Sequence, residues 1–264
     1  MTTPAAAQSD GVPAIEMVDA TLPSLTDKHR IVAENVNWAV MPGDYWVVGG
    51  LHGAGKTDFI SAAGGILLPS KGIYRLFGKQ IEFGYEQELV TTRLRLGLVF
   101  DGGRLLNHLT IAENVALPLQ YHLAMAQEEL VERVGQLLEF AEVLDIAEAY
   151  PVSVSRTRQQ RVGLARAVAL RPEVLLLDAP LTGLDPSDAA WWVDVLDRLA
   201  QGHPLLKGNP LTVVATAHDF RPWRGHARQF AVLRRKRFRV VGQSATQMLT
   251  EERLMQEMVG KDLD

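Results

Sequence analysis

The chain has 264 residues, 47% hydrophobic and 22% charged, with a formal net charge of -4 and no cysteine. That length admits one large α/β domain or two smaller ones around a substantial core. The missing cysteines exclude disulfides and Cys-ligated metals, and the acidic balance argues against nucleic acid, whose phosphates need a clustered basic surface.

Residues 1–14 lack the charged start and bulky apolar run of a signal peptide or anchor and read as a disordered tail. No apolar run approaches the ~18–20 residues that cross a bilayer, so any membrane step would need another chain to do the spanning. Ile15–Val18, Ile31–Ala33 continuing through Val36–Val40, and Tyr45–Val48 have the β-branched and aromatic make-up of strands. A turn at Met41-Pro42-Gly43-Asp44 separates the last two. The pattern is an antiparallel flank feeding a strand that ends in glycine.

After that strand, Gly50 to Thr57 matches G-x-x-x-x-G-K-[ST], and Asp58–Ala63 continues as a helix. Strand, glycine loop and helix is the context in which this motif cradles phosphate. Gly53 and Gly55 free the backbone to turn its N–H groups into one concavity, and the helix adds its positive end. Lys56 is placed to reach the β- and γ-phosphates of a bound polyphosphate and Thr57 to hold Mg²⁺. His52, Ala54 and Asp58 complete the candidate binding stretch, with His52 a permissive spacer.

Gly72–Gly78 and Leu94–Phe100 read as further strands. From about 104 to 160 the period becomes helical, with Leu130, Val131, Val134, Leu137, Leu138 and Ala141 on one face of a helix. Another helix is expected over Arg158–Leu170, stopped by Pro172. Glu173–Asp178, with four apolar central residues, suits a parallel strand buried on both faces. A helix over Pro186–Gln201, a strand over Leu211–Thr216, a hairpin of Phe230–Leu233 with Phe238–Val241, and a capped helix over 245–258 complete the chain. The basic Arg234-Arg235-Lys236-Arg237 occupies the hairpin turn, where solvation explains it as readily as an anionic partner does.

Together these elements resemble the nucleotide-binding subunit of an ABC (ATP-binding cassette) transporter over nearly the whole chain. The resemblance rests on the P-loop, Leu164-Ala165-Arg166-Ala167, Asp178, Gly183-Leu184-Asp185-Pro186 and His218. The stretch Leu109–Leu119 looks most like the ATPase of Mla-type phospholipid transport systems. The resemblance implies an α/β P-loop NTPase: a mostly parallel sheet, an antiparallel β flank and a helical subdomain, residues 15–264 forming one domain. It further implies ATP and Mg²⁺ as cofactors and a head-to-tail dimer with a second nucleotide-binding subunit, whether identical or different. An integral membrane permease would be the partner, with the chain at the cytoplasmic face of the inner membrane. Asp178 would then help hold Mg²⁺, Asp185 would pack across the dimer and His218 would contact the γ-phosphate.

Four departures from the family pattern predict slow hydrolysis with binding retained. The carboxylate that activates water is replaced by Ala179, and general-base assistance is worth ~10²–10⁴-fold. The glutamine between the lobes is Asp101, which could meet Mg²⁺ but cannot donate as an amide does. The LSGGQ signature is Val154-Ser155-Arg156-Thr157-Arg158: Ser155 is kept, and Arg156 and Arg158 could draw phosphate by charge. No aromatic lies in Leu22-Pro23-Ser24-Leu25, where one would stack on adenine. The alternative is a nucleotide-responsive scaffold that binds ATP without useful hydrolysis.

Overall fold

The computed structural model describes residues 11–82 and 86–242. Ten strands form one sheet: β1 (Ile15–Pro23), β2 (Ile31–Val40), β3 (Tyr45–Gly49), β4 (Lys71–Leu76), β5 (Lys79–Gln80), β6 (Leu96–Val99), β7 (Val174–Leu177), β8 (Thr212–Ala217), β9 (Gln229–Arg234) and β10 (Arg237–Gly242). Their spatial order is β5-β4-β1-β2-β10-β9-β3-β8-β7-β6. From β9 to β6 the neighbours run parallel, whereas β2, β1, β4 and β5 form an antiparallel meander, as expected from the short alternating strands. The two halves join where β10, antiparallel to β9, runs parallel to β2.

Among the described residues the six α-helices are α1 (Lys56–Ala63), α2 (Glu86–Arg93), α3 (Ile111–His122), α4 (Gln127–Phe140), α5 (Arg156–Val168) and α6 (Pro186–Gln201). The central strands β3, β7 and β8 are buried along their entire length, the signature of parallel strands covered on both faces. Alternation then splits the core in two. Leu175, Leu177, Val213 and Ala215 pack with α3–α6 on one face; Val174, Leu176, Val214 and Trp46 pack with Phe59 and Ile60 of α1 on the other. An aromatic cluster pins the junction: Phe59 of α1 stacks on Phe238 of β10 at 5.0 Å and lies 5.0 Å from Trp38 of β2.

Several boundaries shift for identifiable reasons. β2 runs unbroken through Asn35, which adopts a left-handed φ of 52° that asparagine tolerates. α5 begins at Arg156, two residues before its expected start, because the Ser155 hydroxyl caps it by accepting from Arg158 N–H. Of the expected tail, residues 1–10 lie outside the described residues. Ala14, by contrast, is buried and bonded to Val40 and Phe77, because its peptide groups sit between β2 and the end of β4. The expected final helix over 245–258 also lies outside the described residues. Of the tryptophan pair on α6, Trp192 is buried, and Trp191 is half-buried beneath the Arg161 guanidinium, 3.9 Å from its ring.

Candidate nucleotide site

The loop from Gly50 to Gly55 leaves β3 at the carboxyl edge of the parallel strands, where open α/β sheets bind ligands. Gly53 and Gly55 have φ of 75° and 92°, and a Cβ on Gly55 would stand 2.8 Å from Val32 Cβ, so only glycine fits there. Gly55 is also the N-cap of α1, with no side-chain hydrogen bond to the first turn. The leading N–H groups of α1 therefore open onto the cradle, where an anion would satisfy them.

Lys56 is 6% exposed. Its ammonium donates to the carbonyls of Gly50 (2.7 Å) and Leu51 (2.9 Å) and approaches His218 Nδ1 at 3.2 Å. Two carbonyls and an imidazole leave the positive charge unneutralised at contact. Burial accordingly lowers the Lys56 pKa to about 8 despite the opposing field of Asp178. The His218 imidazole is held below its usual range by burial, then by Lys56 and by His52, which stacks on it with ring centroids 6.0 Å apart. His218 is thus neutral at pH 7, with Nδ1 accepting from Lys56.

Beside this group Thr57 Oγ1 donates to Asp178 Oδ2 at 2.7 Å, and Thr216 Oγ1 donates to Asp178 Oδ1 at 3.0 Å. A hydroxyl and a carboxylate in contact are hard oxygen donors suited to Mg²⁺, which takes one or two protein oxygens and fills its octahedron with phosphate and water. The residues present therefore fit a magnesium nucleotide: Thr57 and Asp178 on the metal side, Lys56 and the loop N–H groups on the phosphates.

Ala179, at the expected carboxylate position, donates its N–H to Thr216 Oγ1 at 2.8 Å and has a φ of 48°. Thr216 thus joins Asp178 to Ala179. Sequence reading passes over it, although a polar residue directly after Val213-Val214-Ala215 of β8 marks its place.

The other expected site residues are engaged elsewhere within the chain. Asp58 accepts from Leu25 N–H at 2.7 Å and from Ser24 Oγ at 3.3 Å; its carboxylate anchors the segment after β1. Asp101, expected near the metal, pairs with Arg156. Arg158, expected with Arg156 to draw phosphate, pairs with Asp145. Charge is satisfied locally in both cases, because each arginine projects from the first turn of α5 toward a neighbouring carboxylate. Asp185 caps α6, its Oδ1 accepting from Ser187 and Asp188 N–H at 2.8 and 2.9 Å.

A glycine cradle after a central parallel strand, a buried lysine aimed into it and a threonine–aspartate oxygen pair beside it define a P-loop nucleotide-binding protein. Residues 33–182 match the family model described as ABC transporter, and the chain belongs to that family. It is 33% identical over 208 residues to the methionine import ATP-binding protein MetN of Carboxydothermus hydrogenoformans, covering 78% of this chain and 59% of that one. MetN of Rhizobium johnstonii is 34% identical over 241 residues, with 88% and 62% covered. The chain thus spans about three fifths of the length of these curated relatives.

Among solved structures, the dimeric post-hydrolysis state of the ATP-binding cassette MJ0796 bound to ADP and Pi superposes with a TM-score of 0.74 at 27% identity, over 84% of this chain and 95% of that one. The fold is the ABC-type P-loop NTPase fold. It is shared with cbiO1 from Clostridium perfringens, with a TM-score of 0.72 at 19% identity over 93% of this chain and 91% of that one.

Proposed function

We propose that the chain is the ATP-binding, energy-coupling subunit of an ABC transporter, and that it holds magnesium ATP firmly while hydrolysing it slowly. The observation that carries the binding half is Lys56: a buried ammonium whose three protons go to uncharged partners is stable where an anion completes the set. Mg²⁺, when bound, would neutralise phosphate charge. Lys56 and the N–H groups at the start of α1 would orient the chain of phosphates, and Thr57 and Asp178 would fix the metal side. His218, neutral and stacked on His52, would present Nε2–H to the terminal phosphate once Nδ1 accepts from Lys56.

The slow half rests on Ala179, which has no group to take a proton from water, and on the signature stretch. There Arg156 stands where a glycine would leave backbone open to a partner subunit's nucleotide, and its charge is already spent on Asp101. The dimer and the permease enter as part of this proposal. They are supported by neighbours described as a dimeric cassette and as part of the transporter complex cbiONQ.

The lipid reading of Leu109–Leu119 gains no support. That stretch holds the Thr110–Glu113 capping box and the buried face Ile111, Asn114, Val115, Ala116 and Leu119 of α3, so its residues build the helix and say nothing of cargo. The relatives are named for methionine import, and we favour an importer of a small polar solute over a lipid system. Peripheral placement at a cytoplasmic membrane face belongs to the same proposal; among the described residues no helix is long and apolar enough to cross a membrane.

The test is steady-state ATP turnover of the wild type beside Ala179→Glu. Ala179 already carries a Cβ at its left-handed φ, so glutamate adds no backbone strain. We expect low wild-type turnover raised roughly 10- to 100-fold in the variant, the lower part of the range for a general base because the signature remains altered. Brisk wild-type turnover would overturn the slow reading, and unchanged turnover in the variant would favour the scaffold.

A further inference from the structure

The magnesium side of the site lies toward β8 and β7, which deliver His218 and Asp178. A triphosphate anchored there leaves the other side of the P-loop, toward β9, β10 and β2, for its nucleoside. On that side the expected stacking surface is missing. Leu22 and Ser24 are buried, Ser24 is held by Asp58, and Leu25, 39% exposed, is aliphatic.

What stands there instead is the basic turn between β9 and β10. The P-loop is packed against the end of β9 so closely that a Cβ on Gly50 would come within 2.8 Å of the Leu233 carbonyl. Leu51, His52, Gly53 and Ala54 share a cavity of about 270 Å³ with Arg234 and Arg235. Those two arginines also line the adjoining cavity of about 820 Å³, whose walls include Glu34, Asn35 and Phe238, a volume in the range that accepts a nucleoside. The turn is held in place, since Phe238 stacks on Phe59 of the P-loop helix at 5.0 Å.

Its backbone carries a second clue. Arg235 and Lys236 have φ of 46° and 63°, the conformation of a two-residue hairpin turn normally made by Asn-Gly or Asp-Gly. Long side chains are kept where glycine would be less strained, and such retained strain points to a use for the side chain.

Resting on the nucleotide-binding reading above, we propose that the β9–β10 turn is the nucleoside subsite, with the Arg235 guanidinium stacking on the purine in place of the absent aromatic. A guanidinium plane can cover a base face as an aromatic ring does. Arg234 flanks it on the P-loop side, and Glu34 and Asn35 form the polar far wall. Lys236 carries the same charge on the same turn, faces Glu34 at 3.9 Å and lines neither cavity; it is the internal control.

The experiment is calorimetric titration of MgATP and of magnesium tripolyphosphate, which has phosphates and no nucleoside, into the full chain and its Arg235→Ala, Lys236→Ala and Lys56→Ala variants, with melting temperatures checked. The expected result is MgATP weakened roughly 5- to 30-fold by Arg235→Ala, as for a desolvated cation–π contact. Tripolyphosphate should change less than about twofold, Lys236→Ala should be silent for both, and Lys56→Ala should weaken both. Equal weakening of both ligands by Arg235→Ala, or the same effect from Lys236→Ala, would reduce the turn to a diffuse charge and overturn the subsite. So would an Arg235→Ala variant that binds both ligands as the wild type does. Failure of the wild type to bind either ligand would instead remove the nucleotide-binding reading, and the subsite with it.

Discussion

The two ends of the nucleotide site are built differently. Around Lys56, Thr57, Asp178 and His218 the polar groups are buried or half-buried and meet in one cluster beside the glycine cradle, with partners from three adjacent parallel strands and the helix that follows the first of them. Around Asp101, Ser155, Arg156 and Arg158, the polar groups point at one another: Asp101 to Arg156, Arg158 to Asp145, Ser155 to its own helix. The buried end gathers a cation, a hydroxyl and a carboxylate, the set that suits a magnesium triphosphate. At the exposed end each of these charges is paired within the chain. Under the proposed function, the contrast assigns nucleotide binding to the buried half and a weakened contact with a partner subunit to the exposed half.

The largest effect that could break this contrast is Lys56→Ala. Loss of a buried charge that pairs with phosphate costs about 2–5 kcal/mol, so the Kd for MgATP measured by calorimetry should rise at least ~30-fold. A variant binding within threefold of wild type would show that the cradle does not rely on the ammonium.

Next comes pH. Lys56 in the ligand-free chain titrates at about 8, and a triphosphate binds the protonated form. Affinity should be flat below pH 7 and fall as pH rises through 8, by about tenfold at pH 9 if the bound lysine keeps its proton. Flat affinity to pH 9 would mean that the lysine is less buried than its surroundings imply. Burial, then Lys56 and His52, hold the His218 pKa below the usual imidazole range, so no gain in affinity from its protonation is expected near pH 7.

A smaller effect sharpens the link between the halves. Thr216→Val removes the hydroxyl that serves both Asp178 and Ala179, leaving a backbone N–H and one carboxylate oxygen short of a partner. The expected loss is about 1–3 kcal/mol, visible as a lower denaturant midpoint and a weaker Mg²⁺ dependence of ATP binding. Stability unchanged together with unchanged Mg²⁺ dependence would detach Thr216 from the site.

The smallest effect belongs to the exposed half. The Arg156 and Asp101 side chains are 70% and 42% exposed, and such pairs contribute ~0–1 kcal/mol. Arg156→Ala should therefore leave the melting curve nearly unmoved. A substantial drop would reveal a structural dependence that exposed charges do not ordinarily carry.

What the sequence makes legible follows the range of the interactions. The P-loop, the apolar β7 and the helix opened by Asp185-Pro186 are local patterns, and Pro186–Gln201 is a helix over its full expected length. The start of α1 at Lys56 is less visible, because its N-cap is a glycine with no side chain to announce it. Asp58 reads as a ligand contact from its place after the motif, yet its partners lie more than thirty residues upstream. Arg161, which bridges Glu142 and Asp188 while covering Trp191, is likewise invisible to spacing. Pairings across the chain depend on topology, and topology is what a linear pattern encodes least directly.

The loop after β6 meets α5 through two glycines. A Cβ on Gly163 would stand 2.8 Å from Gly103 Cα, and Arg166 donates to the carbonyls of Gly103 and Arg104 at 2.7 and 3.1 Å. Backbone contact at the glycines and the two Arg166 hydrogen bonds tie the loop to the helix. A tilt of α5 would therefore pull on the end of β6, one strand away from Asp178.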